Sequence, residues 1–155
     1  MADAAEDTLI LTLETGPVTI RLRPDLAPGH VARIKELARE GFYDGVVFHR
    51  VIPGFMAQGG DPTGTGRSGS DKPNLKAEFS SEPHVRGVCS MARTANPDSA
   101  NSQFFICFAD ARFLDNQYTV WGEVTEGMDA VDALPKGEPP RDPGKIVTAR
   151  VAADV

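Results

Sequence analysis

The side chains best suited to chemistry lie between Val46 and Gly66, in the run Val-Val-Phe-His-Arg-Val-Ile-Pro-Gly-Phe-Met-Ala-Gln-Gly-Gly-Asp-Pro-Thr-Gly-Thr-Gly. From Arg50 to Gln58 this run offers a guanidinium, a phenyl ring at Phe55, a thioether at Met56 and an amide at Gln58. Arginine keeps its charge and holds its donors in a plane. Apolar walls with a few fixed donors make a pocket that holds a ligand by shape and orients it by hydrogen bonds. The stretch begins as a β-branched and aromatic run, which reads as a strand. Alternation then sends the adjacent pair His49 and Arg50 to opposite faces. Each has a plainer reading on residue type alone: His49 as a packed, hydrogen-bonded residue, Arg50 as a surface ion pair.

Other chemistries fit less well. Gly64-Thr-Gly66-Arg-Ser-Gly69 matches G-x-G-x-x-G, but that cofactor site needs a helix to open at once, and Ser70-Asp-Lys-Pro73 follows instead. No Gly-Lys-Ser/Thr closes a phosphate loop and no G-x-S-x-G presents a serine nucleophile. His30, His49 and His84 are far apart and show no zinc-ligand spacing. No metal or cofactor is expected. Phe104, Phe105 and Phe108 are by default core residues. Residue types and spacing therefore give a candidate pocket without a named reaction.

Short strands must position it. Thr8–Glu14 and Val18–Arg23 alternate apolar and polar residues around Thr15-Gly16-Pro17 and predict a hairpin. Val31, Ile34, Leu37 and Ala38 recur at helical spacing after Pro28 and before Gly41, predicting one amphipathic helix. Residues 62–86 lack a period and read as a long surface loop, a place where function often resides. Gly87–Ala92, Gln103–Phe108, Tyr118–Val124 and Lys145–Ala152 predict further strands. Phe113-Leu114 falls in a turn, Met128–Leu134 predicts a short helix, and Pro135–Gly144, with four prolines, a rigid loop. Many strands and two helices indicate a mainly β barrel or sandwich.

The chain of 155 residues is long enough for one domain with a real core. A formal charge of −6 argues against bulk affinity for nucleic acid or anionic membranes. No apolar run approaches the roughly 18 residues of a membrane helix. Residues 1–7 are acidic, lack the parts of a signal peptide and read as a short flexible lead into a cytoplasmic protein. Cys89 and Cys107 sit in apolar runs and are expected as buried thiols. A monomer is expected, because no long exposed apolar segment is evident.

Phe48-His-Arg-Val-Ile-Pro-Gly-Phe-Met-Ala-Gln-Gly-Gly-Asp61 resembles the signature of the cyclophilins, peptidyl-prolyl cis-trans isomerases. Gly64-Thr-Gly66, Ser90-Met-Ala92, Ser102-Gln-Phe-Phe-Ile-Cys107, Phe113-Leu-Asp115 and Val120-Trp-Gly-Glu-Val124 follow in the family's order. The resemblance spans Thr8 to Val151. It implies a closed eight-stranded antiparallel barrel capped by two α-helices, with substrate in an outer groove, as a single domain over residues 1–155. It also implies that Arg50 is the catalytic residue and that Phe55, Met56, Phe105 and Leu114 wall the proline pocket. Gln58 would hold the substrate backbone, Ala92, Arg93 and Gln103 would bind residues before the proline, and His49 would lie at the pocket edge. Ala92-Arg93-Thr94 resembles bacterial members. Tyr118 replaces a pocket histidine, and Phe113 replaces the tryptophan that contacts cyclosporin, which implies weakened binding of that drug. The implied partners are proline-containing peptides and folding proteins. The alternative is a proline-peptide binding module of the same fold.

Overall fold

The chain opens with the predicted hairpin. In the computed structural model, which describes residues 5–155, β1 (Thr8–Leu13) pairs antiparallel with β2 (Gly16–Leu22). Leu13 faces Gly16, so the turn is tighter than the sequence predicts and Pro17 enters the strand opposite Thr12. Leu9, Leu11 and Leu13 share one buried face with Val18, Ile20 and Leu22, as their alternation requires. Residues 1–4 of the expected flexible lead lie outside the described residues. Ala5 and Asp7 already lend their carbonyl oxygens to Thr8 and Leu22.

Six further strands complete the sheet: β3 (Arg50–Ile52), β4 (Met56–Gly59), β5 (Val88–Met91), β6 (Phe104–Cys107), β7 (Val120–Glu126) and β8 (Ile146–Val151). Their order is β3-β4-β6-β5-β7-β2-β1-β8, with every neighbouring pair antiparallel. The expected closed barrel is corrected here: no ladder joins β3 to β8, and the sheet is a curled, open half-barrel. Val46–His49, predicted as part of one strand with Arg50–Ile52, is not part of β3 and meets the other edge only through an isolated bridge. This segment instead spans the seam, where Val47 bridges Lys145. The Phe48 N–H donates to the Gly144 carbonyl at 2.8 Å, and the Ile146 N–H donates to the Val46 carbonyl at 2.9 Å. Only from Arg50 does the chain change partners and join β4.

The predicted helix forms as α1 (Pro28–Arg39), burying Val31, Ile34, Leu37 and Ala38. Ala27 at its N-cap supplies no side-chain acceptor. Glu78 of the long loop does so instead, accepting from the N–H groups of Gly29 at 3.2 Å and His30 at 2.8 Å. Those orphan donors, and the positive end of the helix, suit a carboxylate. Gly41, at φ +72°, ends the helix. The second helix, α2 (Met128–Asp132), is shorter than predicted. No described helix is long and apolar enough to cross a membrane.

Inside the curl, Phe104 is the hub of an aromatic cluster. Its ring meets Tyr43, Phe48 and Trp121 edge-on at 5.5, 6.0 and 5.7 Å between centroids. Cys89 and Cys107 are buried free thiols. Burial pushes the Cys107 thiol up to about 12 and raises that of Cys89.

All three histidines are buried. Burial lowers each imidazole below its ordinary value, partly offset at His30 by Glu78, at His49 by the more distant Asp61 and at His84 by Asp115. The unfolded chain therefore takes up protons first as pH falls. This contribution to stability is full above about pH 6.5 and is lost below it, by at most about 1.4 kcal/mol per pH unit for each histidine. Urea unfolding at pH 7.5 and 5.5 should give a lower midpoint at pH 5.5. Equal midpoints would show that the buried imidazoles do not resist protonation.

Candidate active site

Register builds the site. Arg50 faces Gln58 across β3 and β4, Gln58 faces Phe105 across β4 and β6, and Phe105 faces Ser90 across β6 and β5. This row lies on the outer face of the curl. The next row, Val51, Ala57, Ile106 and Cys89, joins the core cluster. Period-two alternation thus divides Phe104 from Phe105: the first is core, the second lies in a separate outer cluster with Met56, Cys107, Ala111 and Leu114.

A hollow of about 160 Å³ opens over that cluster, lined by Arg50, Phe55, Met56, Gln58, Ala92, Arg93, Phe105, Leu114 and Tyr118. Phe55 reaches it from the three-residue turn between β3 and β4, where Gly54 adopts φ +72°. The Tyr118 ring packs edge-on against Phe105 at 5.6 Å. Arg93 lies over Tyr118 at 4.8 Å and donates to the carbonyl oxygens of Thr94 and Gln117, which ties its own loop to the segment before β7.

Polar groups link hands along the rim. Arg50 Nη1 donates to Gln58 Oε1 at 3.4 Å, and Gln58 Nε2 donates to Gln103 Oε1 at 3.0 Å. Gln103 Nε2 in turn donates to the carbonyl oxygens of Gly66 at 3.0 Å and Ser68 at 2.8 Å. Beyond this relay lies a depression of about 730 Å³, shared by Gln58, Ala92, Arg93, Gln103 and residues 66–70.

Buried Asp61 fixes the loop that carries those carbonyls. Its carboxylate accepts the N–H groups of Thr63, Gly66, Arg67 and Ser68 and the hydroxyls of Thr63 and Thr65. Burial alone would raise its pKa, but these donors outweigh it and hold the carboxyl at about 2. The glycine motif of the sequence is thus a nest around a protein carboxylate.

Two residues of the sequence-derived set sit apart. His49 does not line the hollow. It packs beneath the glycine loop, where a Cβ on Gly66 would meet its Nε2 at 2.9 Å. Phe113 stands at the rim, 67% exposed, its ring 5.6 Å from that of Phe55.

Sequence reasoning passed over a row beneath the floor. The His84 ring lies between Asp115 Oδ1 at 3.1 Å and Ser90 Oγ at 3.0 Å, and stacks at 6.2 Å on Phe105. Serine, histidine and aspartate in reach are the parts of a nucleophilic triad. Here Ser90 and His84 are fully buried, so the row braces Phe105. Its members are too widely spaced in sequence to form a local motif.

The family model for cyclophilin type peptidyl-prolyl cis-trans isomerases matches residues 8–151. The chain belongs to the cyclophilins. A probable peptidyl-prolyl cis-trans isomerase of Brucella suis is 54% identical over 165 residues, covering 96% of this chain and 84% of that protein. Peptidyl-prolyl cis-trans isomerase B of Bacillus subtilis is 44% identical over 129 residues, covering 81% and 89%. The crystal structure of the cyclophilin AquaCyp293 from Hirschia baltica superposes with a TM-score of 0.90 at 33% identity, covering 97% of this chain and 76% of that one. A Cryptosporidium parvum cyclophilin crystallised in the presence of the dipeptide Ala-Pro gives 0.87 at 27% identity, covering 93% and 98%. This cyclophilin is an isomerase, a peptidyl-prolyl cis-trans isomerase.

Asp61→Ala leaves the loop's N–H groups without their acceptor. Charged hydrogen bonds contribute about 1.5–3 kcal/mol each and do not add fully, so a loss of about 2–4 kcal/mol is expected. At roughly 2–4 °C per kcal/mol for a chain of this size, calorimetry should show the melting temperature fall by about 4–16 °C. An unchanged melting temperature would mean the nest is not held by Asp61.

Proposed function

We propose that this cyclophilin accelerates rotation about Xaa-Pro bonds in peptides and folding proteins of the cytoplasm, with Arg50 favouring the twisted amide and the outer hollow holding the proline. The observation that carries this reading is a guanidinium at the lip of an apolar hollow whose walls are Phe55, Met56, Phe105 and Leu114. The Ala-Pro dipeptide present with the Cryptosporidium relative supports proline as the occupant.

The barrier to rotation is resonance in the C–N bond, near 18–20 kcal/mol. No bond need break, so the reaction asks for neither a nucleophile nor a redox group. It asks for stronger binding of the twisted amide than of either planar isomer. On twisting, the prolyl nitrogen becomes pyramidal and its lone pair free to accept a hydrogen bond. A cation aimed at that nitrogen meets it only in the twisted state. A charged hydrogen bond contributes about 1.5–3 kcal/mol, which is roughly ten- to 150-fold in rate. The rest falls to the hollow. Its walls hold the pyrrolidine ring still and exclude water, while Gln58, fixed from both sides by Arg50 and Gln103, holds one flank of the substrate backbone. Gln103, Ala92 and Arg93 border the depression beside the hollow and take the residues before the proline. A monomer suffices, since every group in this account comes from one chain.

Two measurements test this. NMR exchange on an Ala-Ala-Pro-Phe peptide should show acceleration by wild type and the loss of most of it in folded Arg50→Ala, with peptide affinity largely kept. Binding by wild type without acceleration would make the hollow a recognition site for proline peptides. For cyclosporin, Phe113→Trp restores an indole donor at the rim. Calorimetry should show tighter binding by about fivefold, the effect of one neutral hydrogen bond near 1 kcal/mol. Unchanged affinity would remove Phe113 as the cause of weak drug binding.

A further inference from the structure

Arg50 has a second anchor outside the hollow. Its Nε donates to Glu138 Oε1 at 3.0 Å, while Nη1 is engaged by Gln58 and Nη2 makes no hydrogen bond among the described residues. Glu138 belongs to the proline-rich loop between α2 and β8, whose only feature in sequence is stiffness. The loop is tied to the strand that carries Arg50. Val51 and Gly137 exchange both backbone hydrogen bonds, each at 2.8 Å. Glu138 follows Gly137 as Arg50 precedes Val51, so the antiparallel pairing delivers the carboxylate beside the guanidinium. Gly137 makes the approach possible. At φ +142° its Cβ would meet the Pro139 carbonyl oxygen and Pro140 Cα, both at 2.8 Å. The loop is further held by Lys136, which donates to the Asp132 and Leu134 carbonyl oxygens.

We propose that Glu138 is a positioning residue for Arg50: it fixes Nε from outside the hollow so that the remaining guanidinium edge faces the substrate amide. The proposal rests on Arg50 acting on the amide as described above. An arginine side chain is long and rotamer-rich, and the residue lies 44% exposed at a sheet edge. Gln58 alone, at 3.4 Å, constrains only one end of the guanidinium. A carboxylate on Nε adds a second point and removes rotation about the last torsions. Alignment matters more than the strength of this contact, because an ion pair at two exposed side chains adds little to folding. Both roles of the carboxylate, acceptor and counter-charge, are separable by Glu138→Gln, which keeps the acceptor.

NMR line shapes on a proline peptide give the on-enzyme exchange rate and the dissociation constant separately. Glu138→Ala should lower the exchange rate roughly three- to tenfold with affinity changed by less than about twofold. Glu138→Gln should recover at least half of that loss. In an Arg50→Ala background, Glu138→Ala should leave the residual rate within about twofold, because nothing remains to position. A wild-type or faster rate in Glu138→Ala, alongside a slow Arg50→Ala, would overturn the role of Glu138 and leave that of Arg50 intact. An equal loss in both backgrounds would also overturn it, by making the effect independent of Arg50. A wild-type rate in Arg50→Ala would overturn both.

Discussion

The site depends on the register of β4 between its two neighbours. Gln58 stands opposite Arg50 on one side and Phe105 on the other. A slip of β4 by one residue would turn Gln58 inward, bring Ala57 to the outer face and leave Arg50 and Phe105 without the amide between them. Burial of that inner row in the core therefore holds the outer row in place. The candidate site is not built on loops alone. Arg50, Met56, Gln58 and Phe105 project from strands whose opposite faces are packed.

The loops complete what the register begins. The Asp61 carboxylate gathers the N–H groups of Thr63, Gly66, Arg67 and Ser68, so the carbonyl oxygens of Gly66 and Ser68 are fixed acceptors for Gln103. Gln103 then constrains Gln58, and Gln58 constrains Arg50. Under the hollow, His84 and its two partners brace Phe105 from behind. A reaction that consists of rotation without bond breaking gains from such stiffness, since the enzyme must favour one geometry over two others that differ only by a torsion.

Much of this was legible in the sequence, for reasons that differ by element. The Leu9/Leu11/Leu13 and Val18/Ile20/Leu22 faces follow from period two, and α1 follows from Val31, Ile34 and Leu37 with Pro28 and Gly41 at its ends. Arg50, Phe55, Met56 and Gln58 were brought to notice by their types; Ala92, Arg93, Phe105, Leu114 and Tyr118 were named by family resemblance alone, type having read Phe105 as core; all nine line one hollow. What failed was what depends on distant partners. Val46–His49 has strand composition, yet it meets residues 144–146 through one isolated bridge, so no ladder of strands closes the barrel. For His49 the family resemblance implied a pocket-edge place and residue type alone a packed one; the structure packs it under the glycine loop, close to Gly66. Glu78 as the cap of α1, His84 with Ser90 and Asp115, and Glu138 with Arg50 span separations no local pattern encodes. The carboxylate inside the glycine loop was equally hidden, because the same glycines suit a phosphate.

The central claim is that Arg50 distinguishes the twisted amide from the planar one. The direct test is affinity for a pair of peptides that differ only there: an ordinary proline peptide and an analogue whose prolyl amide is locked out of plane. Wild type should bind the locked analogue more tightly, and folded Arg50→Ala should lose roughly tenfold or more for the analogue while its affinity for the planar peptide stays within a few-fold. Equal losses for both ligands would contradict the account, because Arg50 would then bind substrate without favouring its rotation.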